Sequence, residues 1–149
     1  MVNNQLEGAK WALEDFYKRY EDDAIPFNKW FMVQARVPVS ETVKTVKKLL
    51  SHPKFDMKIP SKVGALLGAF ATNLVAFNTK EGYELLAEQI GKLDKINSQR
   101  AAVLAESFRS IKKMTPNLYE SAKKVLIRLR ETAKLSDSTR EIVSKILDA

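Results

Sequence analysis

The sequence predicts an all-α fold, an irregular α-solenoid or superhelical array of seven to eight antiparallel helices. Three observations predict it. No long run alternates apolar and polar residues with period two, so strand signals are nearly absent. Apolar residues recur at helical spacing along the whole chain. Short polar links carrying cap and stop residues separate these stretches, which favours antiparallel neighbours. No strict sequence period accompanies them, so a repeat is not legible as text.

The elements follow in order. Leu13, Phe16, Tyr17 and Tyr20 fall at i, i+3, i+4 and i+7 and predict a buried stripe on a first helix. Its end, Glu21-Asp22-Asp23, suits the N-terminal end of the next helix, where negative charge meets the positive end of the helix dipole. Pro26 fits the first turn of that second helix, whose apolar face is Phe27, Trp30 and Phe31, continued by Val33 and Val37 until Pro38 stops it. Ser40 is the expected N-cap of a third helix burying Val43, Val46, Leu49 and Leu50. In the following "SHPKFDMKIP", Phe55 and Ile59 are placed to plug a gap between helices, and His52 to cap a helix end.

Ser61 is the expected cap of a fourth helix containing "VGALLGAF". Gly64 and Gly68 share a face there, and a glycine costs about 1 kcal/mol against alanine in a helix. Close approach of a neighbouring helix is the expected compensation. "NTKEGYELLAEQIGKLDK" forms a fifth helix with Tyr83, Leu86, Ala87 and Ile90 inward. Asn97 caps a sixth, burying Ala101, Leu104, Ala105 and Phe108. Thr115-Pro116 starts a seventh with Leu118, Ala122, Val125, Leu126 and Leu129 inside. Ser136 or Asp137 starts a last short helix carrying Ile142, Val143 and Ile146.

Composition narrows the chemistry. The 149 residues fit a single helical domain, 1–149, with room for a sizeable core. No cysteine is present, which removes disulfides and thiolate metal sites, and the single histidine, His52, cannot supply a zinc site alone. No phosphate-binding glycine loop occurs, and H-E-x-x-H is impossible with one histidine. Asp22-Asp23 and the pair Asp94 and Glu106 read as capping or surface carboxylates rather than an acid–base couple. Trp11, Phe16, Trp30 and Phe31 fall at core spacing.

The net charge of +7 raises the question of nucleic acid. The basic residues are dispersed and interleaved with acidic ones, as solvated helix faces are, so no nucleic-acid partner is expected. No segment approaches the roughly 18 apolar residues of a membrane span, so no membrane partner is expected either. Taken alone, the residues describe an all-α domain without an active site of its own, and a stand-alone scaffold or adaptor stays open.

"LEDFYKRYEDDAIPFNKWFMVQA", "TVKTVKKLLSHPKF", "LLGAF" and "GYELLAEQIGKLDKIN" occur in that order without large gaps. Together, over Leu13 to Leu129, they resemble the C-terminal region of bacterial-type aminopeptidase N, the zinc-dependent alanyl aminopeptidases. The resemblance implies that this chain is the C-terminal piece of a larger multi-domain enzyme and that Met1 is not the natural start. Zinc, H-E-x-x-H and the G-A-M-E-N motif would lie in a separate catalytic domain, and neither motif is present here. This chain would itself be non-catalytic, its partners being the catalytic domain of the same polypeptide and, through it, peptides. The implied location is cytoplasmic.

In that family the helical domain closes the peptide cavity and sends arginines into it. "SKVGALLGAF" places Lys62 and Gly64 where the family has basic residues, and "NSQRAAVL" places Val103 at the other arginine position, with Ser98 replacing a proline. By resemblance the cavity-facing candidates are Lys62, Gly64, Asn97, Arg100 and Val103. Arg100, about one turn before Val103, is expected with Lys62 to restore part of the lost positive charge.

Overall fold

In the computed structural model, which describes residues 2–132 and 134–149, every element is helical. The order is α1 (Val2–Tyr20), α2 (Ala24–Ala35), α3 (Thr42–Leu50), α4 (Pro60–Val63), a π turn (Gly64–Gly68), α5 (Ala69–Thr72) and α6 (Leu74–Phe77). Then come α7 (Lys80–Asp94), α8 (Ser98–Ala105) with a 3₁₀ continuation (Glu106–Lys113), α9 (Pro116–Thr132) and α10 (Asp137–Asp148). The segments α4, π turn and α5 run on as one rod over 60–72. The one helical piece not anticipated is α6, a single turn.

Two layers result. In one, α3, α7 and α9 lie side by side; in the other, α2 packs along the rod and α8 along α10. One continuous core lies between them, with Phe27, Phe31, Phe70, Phe77, Tyr83 and Phe108 out of contact with solvent. Phe77 meets Tyr83 and Phe108 edge-on at 5.2 Å each, a geometry that adds about 1 kcal/mol per pair beyond burial. The α-solenoid expected from the sequence is the fold observed.

Caps explain most boundaries. Thr79 Oγ1 accepts from Gly82 N at 2.9 Å, Asn97 Oδ1 from Arg100 N at 3.1 Å, and Ser136 Oγ from Thr139 N at 3.4 Å. Neither Ser40 nor Ser61 caps. Helix α3 begins after Glu41, and α4 begins at Pro60, whose missing N–H is harmless at the first position. Turn α6 exists because Asn73 holds it from both sides. Its Oδ1 accepts from Ala76 N at 3.3 Å, while its Nδ2 donates to the carbonyls of Ala35 at 3.0 Å and Val37 at 2.8 Å. The last carbonyl of α2 and one just beyond it are thereby satisfied.

Several expected core positions are not core. Val33 and Val37 are 57% and 43% exposed, because α2 buries the Phe27–Phe31–Ala35 ridge and turns these two toward α1. Trp11 is 67% exposed, Tyr20 is also exposed, and Leu13, Phe16 and Tyr17 are only half-buried, since α1 packs chiefly on α2. Phe55 packs against the core, but Ile59 stays exposed.

Gly64 and Gly68 are not close-packing positions: a Cβ built at either meets nothing within 4 Å. Alanine at either site is therefore expected to raise the stability of this chain by about 0.5–1 kcal/mol, measured by urea unfolding. A Cβ at Gly82 does meet backbone, that of the residues ending α6, and one at Gly91 meets the Leu129 side chain at 3.3 Å.

Candidate functional site

The two layers expose different chemistry. Helix α3 carries Lys44, Lys47 and Lys48, all exposed, and α7 carries Lys80, Glu81, Glu84, Glu88 and Lys92 on its open side. The opposite layer is poor in charge at its first two elements, with Lys29 alone on α2 and Lys62 alone on the rod. Its open surface offers Val33, Gly64, Gly68 and, on α8, Val103 at 62% exposure. An uncharged, small-residue surface desolvates at less cost than a lysine-bearing one, so this layer is the candidate functional face.

The five candidate residues all lie on elements of that layer or at its edge. Gly64 is half-buried in the π turn with open space before it. Lys62 does not stand free: its Nζ donates to the Lys54 carbonyl. Asn97 is engaged as the cap of α8, and Arg100 is exposed in the first turn beyond it. Val103 projects outward because Ala101, Leu104 and Ala105 occupy the inward side. The π turn carrying Gly64 packs with α2 and α3, whereas Arg100 and Val103 ride on a helix, capped by Asn97, that packs with α7 and α10.

The sequence reading missed the lysine tethers beside His52. Lys54 Nζ donates to the carbonyl of Glu21 and stands 3.8 Å from Asp22, joining the α1–α2 turn to the loop before the rod. His52 is no helix cap. Its ring sits among Tyr17, Phe27, Trp30 and Phe31 at centroid distances of 5.4–6.1 Å, and Nδ1 accepts from Lys54 N at 3.0 Å. Burial, then the charges of Lys54 and Lys62, hold its pKa below the ordinary 6.5.

A histidine depressed in the folded state binds its proton more readily when unfolded. Its contribution to stability is thus complete above pH 6.5 and is lost as pH falls through the lower folded value. Melting temperatures between pH 7.5 and 5 are expected to fall in the wild type more steeply than in His52→Phe.

This environment is unsuited to zinc. Nδ1 is occupied by an N–H donor, two ammonium groups are close by, and no group of three or more His, Cys, Asp or Glu among the described residues could hold a metal ion. Asp94 is a structural carboxylate that accepts from Ser136 and Thr139, and Glu106 pairs with Arg109. No helix among the described residues is long and apolar enough to cross a membrane.

Comparison with known proteins agrees with this picture. Residues 1–148 match a family described as a domain of unknown function (DUF3458_C) with ARM repeats. Aminopeptidase N of Escherichia coli is 30% identical over 98% of this chain, and that of Caulobacter vibrioides is 32% identical over 91%. The chain spans only 17% and 16% of those two relatives. Among solved structures, Legionella pneumophila aminopeptidase A, crystallised with aspartic acid, superimposes with a TM-score of 0.88 at 39% identity. That match covers 96% of this chain and 17% of the other. The motif resemblance to the helical C-terminal region of aminopeptidase N is borne out, and the chain belongs to the DUF3458_C family of ARM-repeat domains.

Proposed function

We propose that this chain is the non-catalytic C-terminal domain of a longer aminopeptidase N-like zinc metallopeptidase. In this proposal its charge-poor layer covers the peptide cavity of the catalytic domain. The observation that carries the reading is the open, charge-poor face around Gly64, Gly68 and Val103. Zinc then belongs to the catalytic domain of the same polypeptide. The relatives' shared designation as aminopeptidases supports removal of N-terminal residues from peptides as the activity of the whole.

The role of this domain is geometric. A rigid wall restricts the cavity to short or flexible peptides and limits water exchange around the reacting bond. Arg100 is the residue from which positive charge reaches the cavity rim, Lys62 being held to the Lys54 carbonyl, and Asn97 fixes the helix start that carries Arg100. We place the whole enzyme in the cytoplasm, following the resemblance.

The purified chain is expected to show no metal-dependent cleavage of an alanyl reporter. In the whole enzyme, Gly64→Trp and Val103→Trp are expected to raise KM for peptides several-fold while leaving kcat for the small reporter unchanged. Metal-dependent turnover by the chain alone, or an unaltered peptide KM in both variants, would overturn the proposal.

A further inference from the structure

Gln89, on α7, is a buried amide with nothing to bind. It is only 7% exposed, yet neither Nε2 nor Oε1 has a hydrogen-bond partner among the described residues. The other polar side chains buried to this degree, Thr42, Asn73, Asp94 and Thr139, are all bonded. Leaving such a group unpaired costs about 1–3 kcal/mol, so folded proteins pair nearly all of them. Gln89 lines a groove of about 400 Å³ between the end of α3, the loop after it and α7. The amide therefore has somewhere to find a partner from outside the chain.

The rest of the groove narrows what that partner is. One wall is apolar: Leu50, Phe55 and Met57 are half-buried against the core beside the buried Leu85. At the rim, Lys92 is paired to Glu88 at 2.9 Å, whereas Lys47 has no ion-pair partner among the described residues. The groove thus offers one amide, one uncompensated ammonium and a hydrocarbon surface. A primary amide donates and accepts at once, so its full complement is another amide. A single ammonium calls for a single anionic group, and the apolar wall for a hydrocarbon side chain. The C-terminal residue of a peptide carries all three next to one another: the last peptide bond, the α-carboxylate and the side chain.

We infer that the α3–α7 groove binds the C-terminal residue of a short peptide ending in an apolar amino acid. Gln89 Nε2 donates to the carbonyl of the last peptide bond and Oε1 accepts from its N–H, while Lys47 holds the carboxylate. Glu88 disfavours a second negative charge on the ligand, which selects apolar over acidic final residues. The groove belongs to the α3–α7–α9 layer, opposite the face assigned to the cavity. It is a second peptide site, and it stands or falls independently of the cavity proposal.

The test uses the polypeptide that the gene encodes and N-acetyl-alanyl-leucine as probe, whose blocked amine leaves the C-terminal end as its only charged group. Isothermal titration is expected to show binding with Kd of roughly 1 mM or tighter. Gln89→Met keeps the side-chain volume and removes the unpaired amide, and Lys47→Gln removes the exposed charge. Each is expected to weaken binding on the order of tenfold, the worth of one or two hydrogen bonds. Free leucine, which lacks the peptide bond, and the probe's C-terminal amide, which lacks the carboxylate, are expected to bind weaker by a similar factor. Val103→Trp, which tests the cavity proposal, is expected to leave this binding unchanged. No binding of the probe, equal affinity in both groove variants, or free leucine binding as tightly overturns the inference. So does loss of binding in Val103→Trp with none in Gln89→Met, which would put the probe in the cavity.

Discussion

Replacing Gly82 with alanine is expected to destabilise the chain by about 3 kcal/mol, the upper end for overpacking, because nothing at this site can yield. Gly82 is in the first turn of α7, and its N–H is the donor that Thr79 captures. A Cβ there would fall inside the contact shells of the Ala76 and Phe77 carbonyl oxygens and lie 2.9 Å from the Phe77 carbonyl carbon. These are backbone atoms of a turn held by Asn73, so relief requires moving α6 away from α7. Urea unfolding of Gly82→Ala beside Gly64→Ala checks the point. The two substitutions are expected to have opposite signs, and equal effects would show that the close approach is not real.

The second large effect is expected at Asp94, 8% exposed at the end of α7. Its carboxylate accepts from the Ser136 N–H, the Ser136 hydroxyl and the Thr139 hydroxyl, each at 2.6 Å. It thus fastens the N-terminus of α10 across 42 residues of chain. Asp94→Ala strands those donors in a buried site, and a loss of about 3 kcal/mol is expected from unmade hydrogen bonds to a charged acceptor.

The pH dependence follows from the same contacts. Burial alone would raise the Asp94 pKa, but the bonds from the two hydroxyls and the backbone outweigh it and hold the pKa below the ordinary 3.8. A carboxyl depressed in the folded state contributes stability above its unfolded value and loses it as pH falls through the folded one. The acid limb of the wild-type stability curve below pH 4 is therefore expected to flatten in Asp94→Asn. An unchanged limb would assign acid sensitivity to other groups.

What the sequence disclosed and what it hid divide along a physical line. Asn97, Ser136 and Thr115-Pro116 were legible because a cap acts within one turn, and Tyr83, Leu86 and Ile90 because burial has the helical period. Val33 and Val37 were misread as core because periodicity identifies an apolar face without saying whether a partner is there to cover it. The same limit applied to the glycines. Their positions in the sequence show where a side chain is missing, but only the approach of α6 distinguishes Gly82 from Gly64. Turn α6 itself depends on Asn73 reaching Ala35 and Val37, a contact with no local signature. The candidate face followed from a family pattern, and which of its residues are tied down, as Lys62 is, became visible only in three dimensions.

The π turn has a consequence for how the rod tolerates insertion and deletion. Widening the helix over Gly64–Gly68 accommodates one residue more than a regular turn, and this lets Ala65, Leu66 and Leu67 all be buried while Phe70 still points to the core. Deleting a single residue here would restore a regular α-helical turn and keep Phe70 beside Phe77 and Asn73 aimed at the end of α2, because the turn already absorbs the extra residue. The same deletion in a regular stretch such as α9 would rotate everything after it by roughly 100°. The segment therefore acts as slack in the rod, the place where its length can change by one residue without rephasing the helix on either side.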